Sequence, residues 1–165
     1  MSSAGTVNFS DKLGGAPHSK QSLRLWLRLL SCSMIVEKRL RTRLETDFHT
    51  TLPRFDVLAA LERHSLGLKM SELSESLMVS NGNVTGVVTR LIEDGLVTRT
   101  VDQEDRRSAT VCHTRKGRDA FLKMAADHER WMDEMFSGLS DNQIDDLMRL
   151  LMHLRCSIEA HPILA

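Results

Sequence analysis

Residues 96–117, which read LVTRTVDQEDRRSATVCHTRKG, carry the pattern that most restricts the fold of this chain. Two β-prone apolar runs at its ends flank the polar, turn-prone hexapeptide Asp102–Arg107. This arrangement predicts a β-hairpin with arginines at its tip. A helix-like segment, Ser80–Gly95, comes directly before the hairpin, and a shorter one precedes it. Helix, turn, helix and basic hairpin in this order indicate a winged helix-turn-helix, which is a DNA-reading module.

Apolar periodicity adds long helices on both sides of this module. Residues 22–48 place apolar side chains at i, i+4 and i+7 steps, which predicts one long helix. Its apolar stripe is wider than one neighbour could cover, so we expect a second subunit to pack on it. After the hairpin, Thr114 is predicted to cap a helix over about 115–136, and Ser140–Gln143 forms a capping box for a last helix.

The predicted fold class is therefore mainly α with a small β-hairpin wing: a winged helix-turn-helix with N- and C-terminal dimerisation helices. The first residues contain Gly and Ser and lack the charged and apolar regions of a signal peptide, so we expect a flexible tail there. The predicted parts are the tail 1–19, a dimerisation helix 20–50, the winged helix-turn-helix domain 51–114 and the C-terminal dimerisation helices 115–165.

Composition and motifs argue against several other classes of protein. No apolar run approaches the ~18–20 residues of a membrane span, so we expect no membrane partner. No nucleotide-binding loop or hydrolase motif is present, so we expect neither an enzyme nor a cofactor. The three cysteines are odd in number and widely spaced, and no pair has metal-ligand spacing, so we expect a reducing, cytoplasmic setting and no bound metal.

Charge is distributed unevenly along a chain whose net charge is zero. Basic residues predominate in 20–56 and 80–118, and acidic residues predominate in 119–165. This distribution is compatible with a local DNA-binding face on an overall neutral protein.

The segment Ser80–Gly95 is predicted to be the helix that enters the DNA major groove. Ser80 should cap its start and Gly95 should end it. The side chains expected to face the core are Val84, Val87 or Val88, Leu91 and Ile92. Small polar side chains on its other face suit base edges and phosphates. That outward face consists of Asn81, Gly82, Asn83, Thr85, Gly86, Thr89 and Arg90. The alternative is a plain solvent-exposed face, although each glycine in a helix costs about 1 kcal/mol relative to alanine.

The chain resembles the MarR family of bacterial regulators over about residues 20–160. The resemblance rests on SELSESLMVSNGNVTGVVTRLIEDGLVTR, with its Gly-Leu-Val ending, and on the Asp-x-x-Asp-Arg-Arg hairpin within VDQEDRRSATVCHTRKG. It implies a homodimer held together by its N- and C-terminal helices, with one winged helix on each subunit. It also implies binding to a pseudo-palindromic operator, usually for repression, and release by a small ligand.

The resemblance assigns roles to the residues of the hairpin, which is the wing. In the family's pattern Arg107 enters the minor groove, whose negative potential suits arginine, and Asp105 holds Arg107 in position. Arg106, Arg99 and Arg115 are expected to meet phosphates. The alternative for Asp105 and Arg107 is a surface salt bridge of little energetic value. The predicted DNA contacts are Ser80, Asn81, Gly82, Asn83, Thr85, Thr89, Arg90, Arg99, Asp105, Arg106, Arg107 and Arg115.

The family's ligand site generally lies between the first, second and fifth helices. Aromatic walls with an arginine there would suit an aromatic acid or its CoA thioester. The segment LRLWLRLLSCS, together with GNVTG, resembles regulators of hydroxycinnamate breakdown, some of which respond to acyl-CoA thioesters. The candidate ligand residues are Trp26, Arg28, Leu29, Ser33, Phe55 and Trp131. The alternative is that the two tryptophans are ordinary core or interface residues.

Two other functions remain open. A redox-responsive repressor would use a cysteine, but redox sensors of this family place it near the start of the first helix beside tyrosines. Cys32 lies well inside the first helix, Cys112 lies in a wing strand, and the chain has no tyrosine. A winged helix can also serve only for dimerisation or protein docking, and such a module would need neither Arg107 nor the small residues at 81–86.

Overall fold

The computed structural model describes residues 17–101 and 109–161 and contains six helices and three strands within them. The winged-helix order that the sequence predicts is present. The helices are α1 (Pro17–Phe48), α2 (Leu52–Glu62), α3 (Met70–Ser76), α4 (Asn81–Glu93), α5 (Arg115–Phe136) and α6 (Asp141–Ala160). The strands are β1 (Leu68–Lys69), β2 (Val97–Val101) and β3 (Ala109–His113).

The three strands form an antiparallel sheet in the order β1-β3-β2. The predicted hairpin is its β2–β3 pair, with Val97 opposite His113 and Val101 opposite Ala109. The sequence analysis missed β1, which is only two residues long and pairs Leu68 with Val111. Gly67 makes this pairing possible, because its φ of +84° and its close approach to the Val111 carbonyl leave no room for a Cβ.

The core gathers side chains from α2, α3, α4, the sheet, the second half of α1 and α5. Its least exposed large members are Leu44, Val57, Leu58, Leu61, Leu73, Val84, Val88, Leu91, Val97, Val111 and Trp131. None of the described side chains of the first half of α1 is buried, and α6 has no buried residue. The core therefore belongs to the winged helix and to the parts of α1 and α5 that contact it.

Helix α1 begins at Pro17, earlier than the predicted start. Proline is well accommodated in a first helical turn, because its missing N–H would have no partner there. The helix ends at Phe48, directly before His49, which has a left-handed φ of 50°. Thr51 occupies the N-cap position of α2, but its side chain makes no capping hydrogen bond.

Helix α4 differs from the prediction at its start and on its inner face. Ser80 occupies the N-cap position without a side-chain capping bond. Val84, Val88 and Leu91 are buried, whereas Ile92 is 38% exposed. Ile92 follows Leu91 by one residue, which turns it about 100° around the helix axis and away from the core.

The end of α4 agrees with the prediction. Gly95 has a φ of +69° and follows the helix as its C′ residue. Its N–H donates to the Ile92 carbonyl at 2.9 Å, and the Leu96 N–H donates to the Leu91 carbonyl at 2.9 Å. These two bonds form a Schellman motif, which satisfies the last carbonyls of the helix.

The predicted caps of α5 and α6 are confirmed. The Thr114 hydroxyl accepts a hydrogen bond from the Gly117 N–H at 2.9 Å. Ser140 and Gln143 form the capping box, in which the Gln143 side chain accepts from the Ser140 N–H at 2.9 Å. In the described part of the chain, no helix is long and apolar enough to cross a membrane.

Candidate nucleic-acid interface

Helix α4 presents a polar, exposed face on the side away from the core. Its inner face packs against α2 and α3. The exposed residues are the N-cap residue Ser80 and, along the outer face of α4, Gly82, Asn83, Thr85, Gly86, Thr89 and Arg90. Of Asn81 only the backbone is described. The predicted outward positions therefore share one surface, which we call the α4 face.

The two glycines of the α4 face have no packing reason among the described residues. An added Cβ at Gly82 or at Gly86 would meet no atom within 4 Å. Alanine would therefore fit at either position, and alanine is the better helix former by about 1 kcal/mol. The backbone at these two positions is open for a close approach by another molecule.

The wing carries Arg99 on an exposed position of β2, directly opposite the buried Val111 of β3. Arg99 and Arg90 form no salt bridge with any described residue. Asp105, Arg106 and Arg107 lie outside the described residues.

Arg115 lies in the first turn of α5 and lines a cavity together with Arg54, Lys116 and Lys123. This cavity lies beside the C-terminal end of α4, because Arg54 forms an ion pair with Asp94. The structure thus groups Arg115 with other cations at the end of α4 that is opposite to Asn81.

A single chain does not bring the predicted ligand residues together. Trp26, Arg28 and Ser33 are exposed and Leu29 is partly buried, all within residues 26–33 of α1. Phe55 and Trp131 belong to the core, with exposed fractions of 6% and 1%. The ring centroids of Trp131 and Phe48 lie 6.1 Å apart in an edge-to-face arrangement. The Arg43 guanidinium lies over the Trp131 ring, 5.5 Å from its centroid.

Phe55 does line a cavity of about 570 Å³ between α2, α3 and α5, which we call the α2–α5 cavity. Its aromatic wall consists of Phe55, Phe121 and His128, with ring centroids of Phe55 and His128 4.9 Å apart. Burial lowers the pKa of His128 and raises the pKa of Asp56, another lining residue. None of the predicted α1 residues lines this cavity.

Sequence reasoning did not assign His128 to a site. The signal was the spacing of Phe121, Ala125 and His128, which stand at i, i+4 and i+7 and share one side of α5. The missing information was which side of α2 this stripe would meet.

An aromatic series connects the α2–α5 cavity to the wing. Phe121 lies 5.6 Å from Phe55 and 6.1 Å from the ring of His113, the last residue of β3. The His113 Nε2 donates to the Leu58 carbonyl of α2 at 2.9 Å. Packed side chains therefore connect the wall of the α2–α5 cavity to β3, one of the two strands of the wing.

Two helices expose apolar side chains that the described chain leaves uncovered. On α1, Leu25, Trp26, Met34 and Ile35 are each about half exposed or more. The exposed apolar residues of α6 are Leu147, Met148, Leu150, Leu151, Met152 and Ile158. Contiguous apolar surface of this kind marks an interaction site.

The described ranges, 17–101 and 109–161, contain no group of three or more His, Cys, Asp or Glu side chains that could hold a metal ion. Cys32, Cys112 and Cys156 are all free thiols. Cys32 and Cys156 are exposed on α1 and α6, and the Cys112 thiol contacts the Leu66 carbonyl at 3.5 Å.

Comparisons with known proteins give a consistent result. The MarR family matches residues 50–109. The chain is similar to the transcriptional activatory protein BadR of Rhodopseudomonas palustris, with 31% identity over 134 residues that cover 79% of this chain and 76% of BadR. It is also similar to the crystal structure of a MarR family transcriptional regulator from Silicibacter pomeroyi, with 33% identity, a TM-score of 0.71 and coverage of 88% of this chain and 99% of that chain.

The MepR–DNA complex of S. aureus shares the fold, with a TM-score of 0.69 at 21% identity, over 81% of this chain and 96% of that chain. These matches confirm the winged-helix fold class. The predicted relation to regulators of hydroxycinnamate breakdown stays a prediction.

Proposed function

The chain belongs to the MarR family of transcriptional regulators, and on this premise we propose that it represses transcription by binding a pseudo-palindromic operator as a homodimer. The observation that carries the proposal is the exposed α4 face, which has two glycines that no contact in the described part of the chain explains. Most members of the family repress. BadR is named as an activator, so repression rests on the family's usual behaviour and not on this relative.

We place the N-terminal half of α4 in the major groove, as in other helix-turn-helix proteins. Polar side chains at its start would meet base edges, and Arg90, farther along the helix, would meet the phosphate backbone. The base-facing group comprises Ser80, Asn81, Gly82, Asn83 and Thr85, and Thr89 follows on the same side. The fold likeness to MepR, whose structure was solved as a DNA complex, supports this placement.

We place the wing along the adjacent minor groove. Arg99, exposed on β2, and Arg106 at the tip would meet phosphates. Arg107 would enter the groove with Asp105 as its support.

A regulator that acts on chromosomal DNA works in the cytoplasm.

Replacing Gly86 with alanine is expected to stabilise the fold by about 0.5–1 kcal/mol and to weaken operator binding. The stability of the fold increases because alanine is the better helix former and its Cβ meets no described atom within 4 Å. The affinity for the operator falls because the methyl group would occupy the space that DNA approaches. Urea unfolding and gel shifts on the operator measure the two effects.

Gly138→Ala is the matched control. Gly138 lies between α5 and α6, and a Cβ there also meets nothing within 4 Å. This variant should leave operator binding unchanged. Unchanged binding of the Gly86 variant as well would favour a protein-docking module over a DNA reader.

We propose that α1 and α6 form the dimer interface through their exposed apolar side chains. Helix α6 has an amphipathic sequence yet buries nothing in the single chain, so its apolar face needs a partner. The residues Leu147 and Leu151 stand four apart on that face and are 46% and 40% exposed. A second copy presenting the same helices would cover both.

The double substitution Leu147→Asp with Leu151→Asp is expected to convert the dimer into a monomer. Burying a leucine contributes roughly 1.5–3 kcal/mol, and a dimer loses four leucines. The mass measured by light scattering after size exclusion should fall from twice 18.7 kDa to 18.7 kDa. Arg149→Asp is the control, because it introduces the same side chain between residues 147 and 151 at an exposed position that pairs with Asp146. This variant should remain dimeric. A wild-type monomer, or a dimer that survives the double change, would contradict the interface.

We propose that the α2–α5 cavity binds the effector and that the effector is an aromatic acid or its CoA thioester. The aromatic rings of Phe55, Phe121 and His128 supply a stacking wall, and Arg63 at the rim supplies a cation for a carboxylate. The α1 residues Trp26, Arg28, Leu29 and Ser33, named from the family's ligand site, would have to join this wall in the dimer. Trp131 would affect effector binding indirectly, through the packing of α5.

A thermal-shift screen with hydroxycinnamic and benzoic acids and their CoA thioesters tests this assignment. A ligand at 100 times its Kd should raise Tm by about 5–10 °C. Ala125→Leu, which narrows the α2–α5 cavity, should abolish the shift, whereas Ala126→Leu on the exposed side should keep it. Stabilisation by none of these compounds would refute the effector class, and equal responses of the two variants would refute the cavity.

A further inference from the structure

Hydrogen bonds to three consecutive backbone carbonyls join the end of α4 to the start of α5. The Lys116 ammonium donates to the Asp94 carbonyl at 2.8 Å. The Thr114 hydroxyl donates to the Gly95 carbonyl at 2.8 Å, and the Thr114 N–H donates to the Leu96 carbonyl at 3.1 Å. We call this contact, made by residues 94–96 and 114–117, the α4–α5 junction.

The α4–α5 junction leaves little freedom between the two helices. Gly117 is buried in the first turn of α5, and a Cβ built on it would lie 1.8 Å from the Leu96 carbonyl oxygen, so the two backbones are in direct contact. The carbonyl end of α4, which carries partial negative charge, meets the amide end of α5, which carries partial positive charge. A rotation of α4 relative to α5 would therefore break several favourable contacts at once.

A cation from α2 holds the same end of α4. Arg54 is partly buried and forms an ion pair with the carboxylate of Asp94, the C-cap residue of α4. The Arg54 Nε is buried and has no hydrogen-bond partner among the described residues. An unpaired buried donor costs stability, which offsets part of what the ion pair contributes. Arg54 and Lys116 together hold the carboxylate and the carbonyl of one residue.

Lys116 is an unfavourable residue for α5 by itself. It lies in the first turn of the helix, where the partial positive charge of the N-terminus disfavours a cation, and that turn contains no acidic residue. Its hydrogen bond to the Asp94 carbonyl, at the negative end of α4, compensates for this position. The contact with α4 therefore explains this lysine better than the needs of α5 do.

The α4–α5 junction lies between the proposed DNA-reading and dimer-forming parts of the chain. The base-facing group begins at the opposite end of α4, because Asn83 lies roughly 16 Å along the helix axis from Asp94. From the junction, α5 runs to Phe136 and leads into α6, which we place in the dimer interface. The angle between α4 and α5 therefore sets where the two α4 helices of a dimer stand relative to each other.

We propose that Lys116 is a positioning residue for operator binding. By holding the end of α4 against α5, it fixes the separation of the two α4 helices in the dimer, and it does so without touching DNA. The inference rests on the proposed function, because it requires a dimer that reads two half-sites. The alternative for Lys116 is a phosphate contact, which its neighbour Arg115 is expected to make.

Lys116→Met tests the proposal, because methionine keeps an unbranched stem and removes the donor. We expect about tenfold weaker binding to a duplex that carries the pseudo-palindrome from captured genomic DNA, which is the effect of one charge-assisted hydrogen bond. On the same duplex with one half-site scrambled, the variant should bind like the wild type, because only one α4 then reads bases. Fluorescence anisotropy with the full-length protein measures both affinities. Lys116→Arg keeps a donor and should restore most of the affinity.

Lys123→Met is the matched control. Lys123 and Lys116 lie on the same side of α5, since both line one cavity. Lys123 forms no hydrogen bond or salt bridge with a described residue, so this variant removes the same charge without affecting the α4–α5 junction. It should bind both duplexes like the wild type.

Salt titrations separate positioning from a phosphate contact. Each lost phosphate contact lowers the slope of log K against log salt by about 0.9, so a dimer that loses two would show a slope smaller by about 2. An unchanged slope together with a selective loss on the two-site duplex supports the proposal. A slope smaller by about 2 would overturn it, as would an equal loss on both duplexes or wild-type affinity of Lys116→Met. A wild-type protein that binds neither duplex would refute the proposed function itself, and the inference with it.

Discussion

Replacing Arg107 with alanine should abolish or greatly weaken operator binding while leaving the dimer folded. An arginine in the minor groove gains from the negative potential there, and its loss is worth about 1–3 kcal/mol per contact. A homodimer loses both contacts, so the expected effect is about 2–6 kcal/mol, or roughly 30-fold and more in Kd. Gel shifts on the operator and size exclusion measure binding and assembly.

Arg149→Ala is the control for Arg107→Ala, because Arg149 is an exposed arginine on α6, remote in sequence from the winged helix. It should bind the operator like the wild type. An unchanged gel shift for Arg107→Ala would show that the wing does not read the groove and would leave Asp105 and Arg107 as a surface ion pair.

Replacing Gly117 with alanine should destabilise the fold by about 3 kcal/mol or more. Gly117 is buried in the first turn of α5, and an ideal Cβ there would overlap the carbonyl group of Leu96. Both partners are backbone, so no side chain can move aside, and overpacking of this kind costs typically 1–3 kcal/mol and sometimes more. Against a total stability of about 5–15 kcal/mol, the loss is large.

Urea unfolding measures this loss, and Gly82→Ala is its control. Both glycines lie in the first turns of helices, but a Cβ at Gly82 meets no atom within 4 Å. We expect its unfolding midpoint to stay equal or rise. A Gly117→Ala variant as stable as the wild type would show that α5 can shift away from Leu96 without loss of packing.

Local signals in the sequence were sufficient for much of the fold. The Thr114 cap, the Ser140–Gln143 capping box and the Gly95 helix end depend on residues within one or two turns of each other, and each was predicted correctly. The β2–β3 hairpin is similarly local. The α4 face was also predictable, because side chains on one helix follow a fixed period.

The errors arose where long-range packing decides the outcome. Strand β1 is a two-residue pairing across more than 40 residues of sequence, and it depends on how Gly67 meets Val111. Ile92 is apolar but falls beside the buried line of α4. The ligand site stays a prediction, because the helix periodicity of α1 and α5 does not determine which faces meet across chains.

Sequencing of genomic DNA captured by the purified protein tests the central claim, that a dimer of winged helices reads an operator. The account predicts enriched fragments that share a pseudo-palindrome whose half-sites are one helical turn, about 10–10.5 base pairs, or a multiple of it apart. Fragments without a shared motif, or with one unpaired half-site, would contradict it.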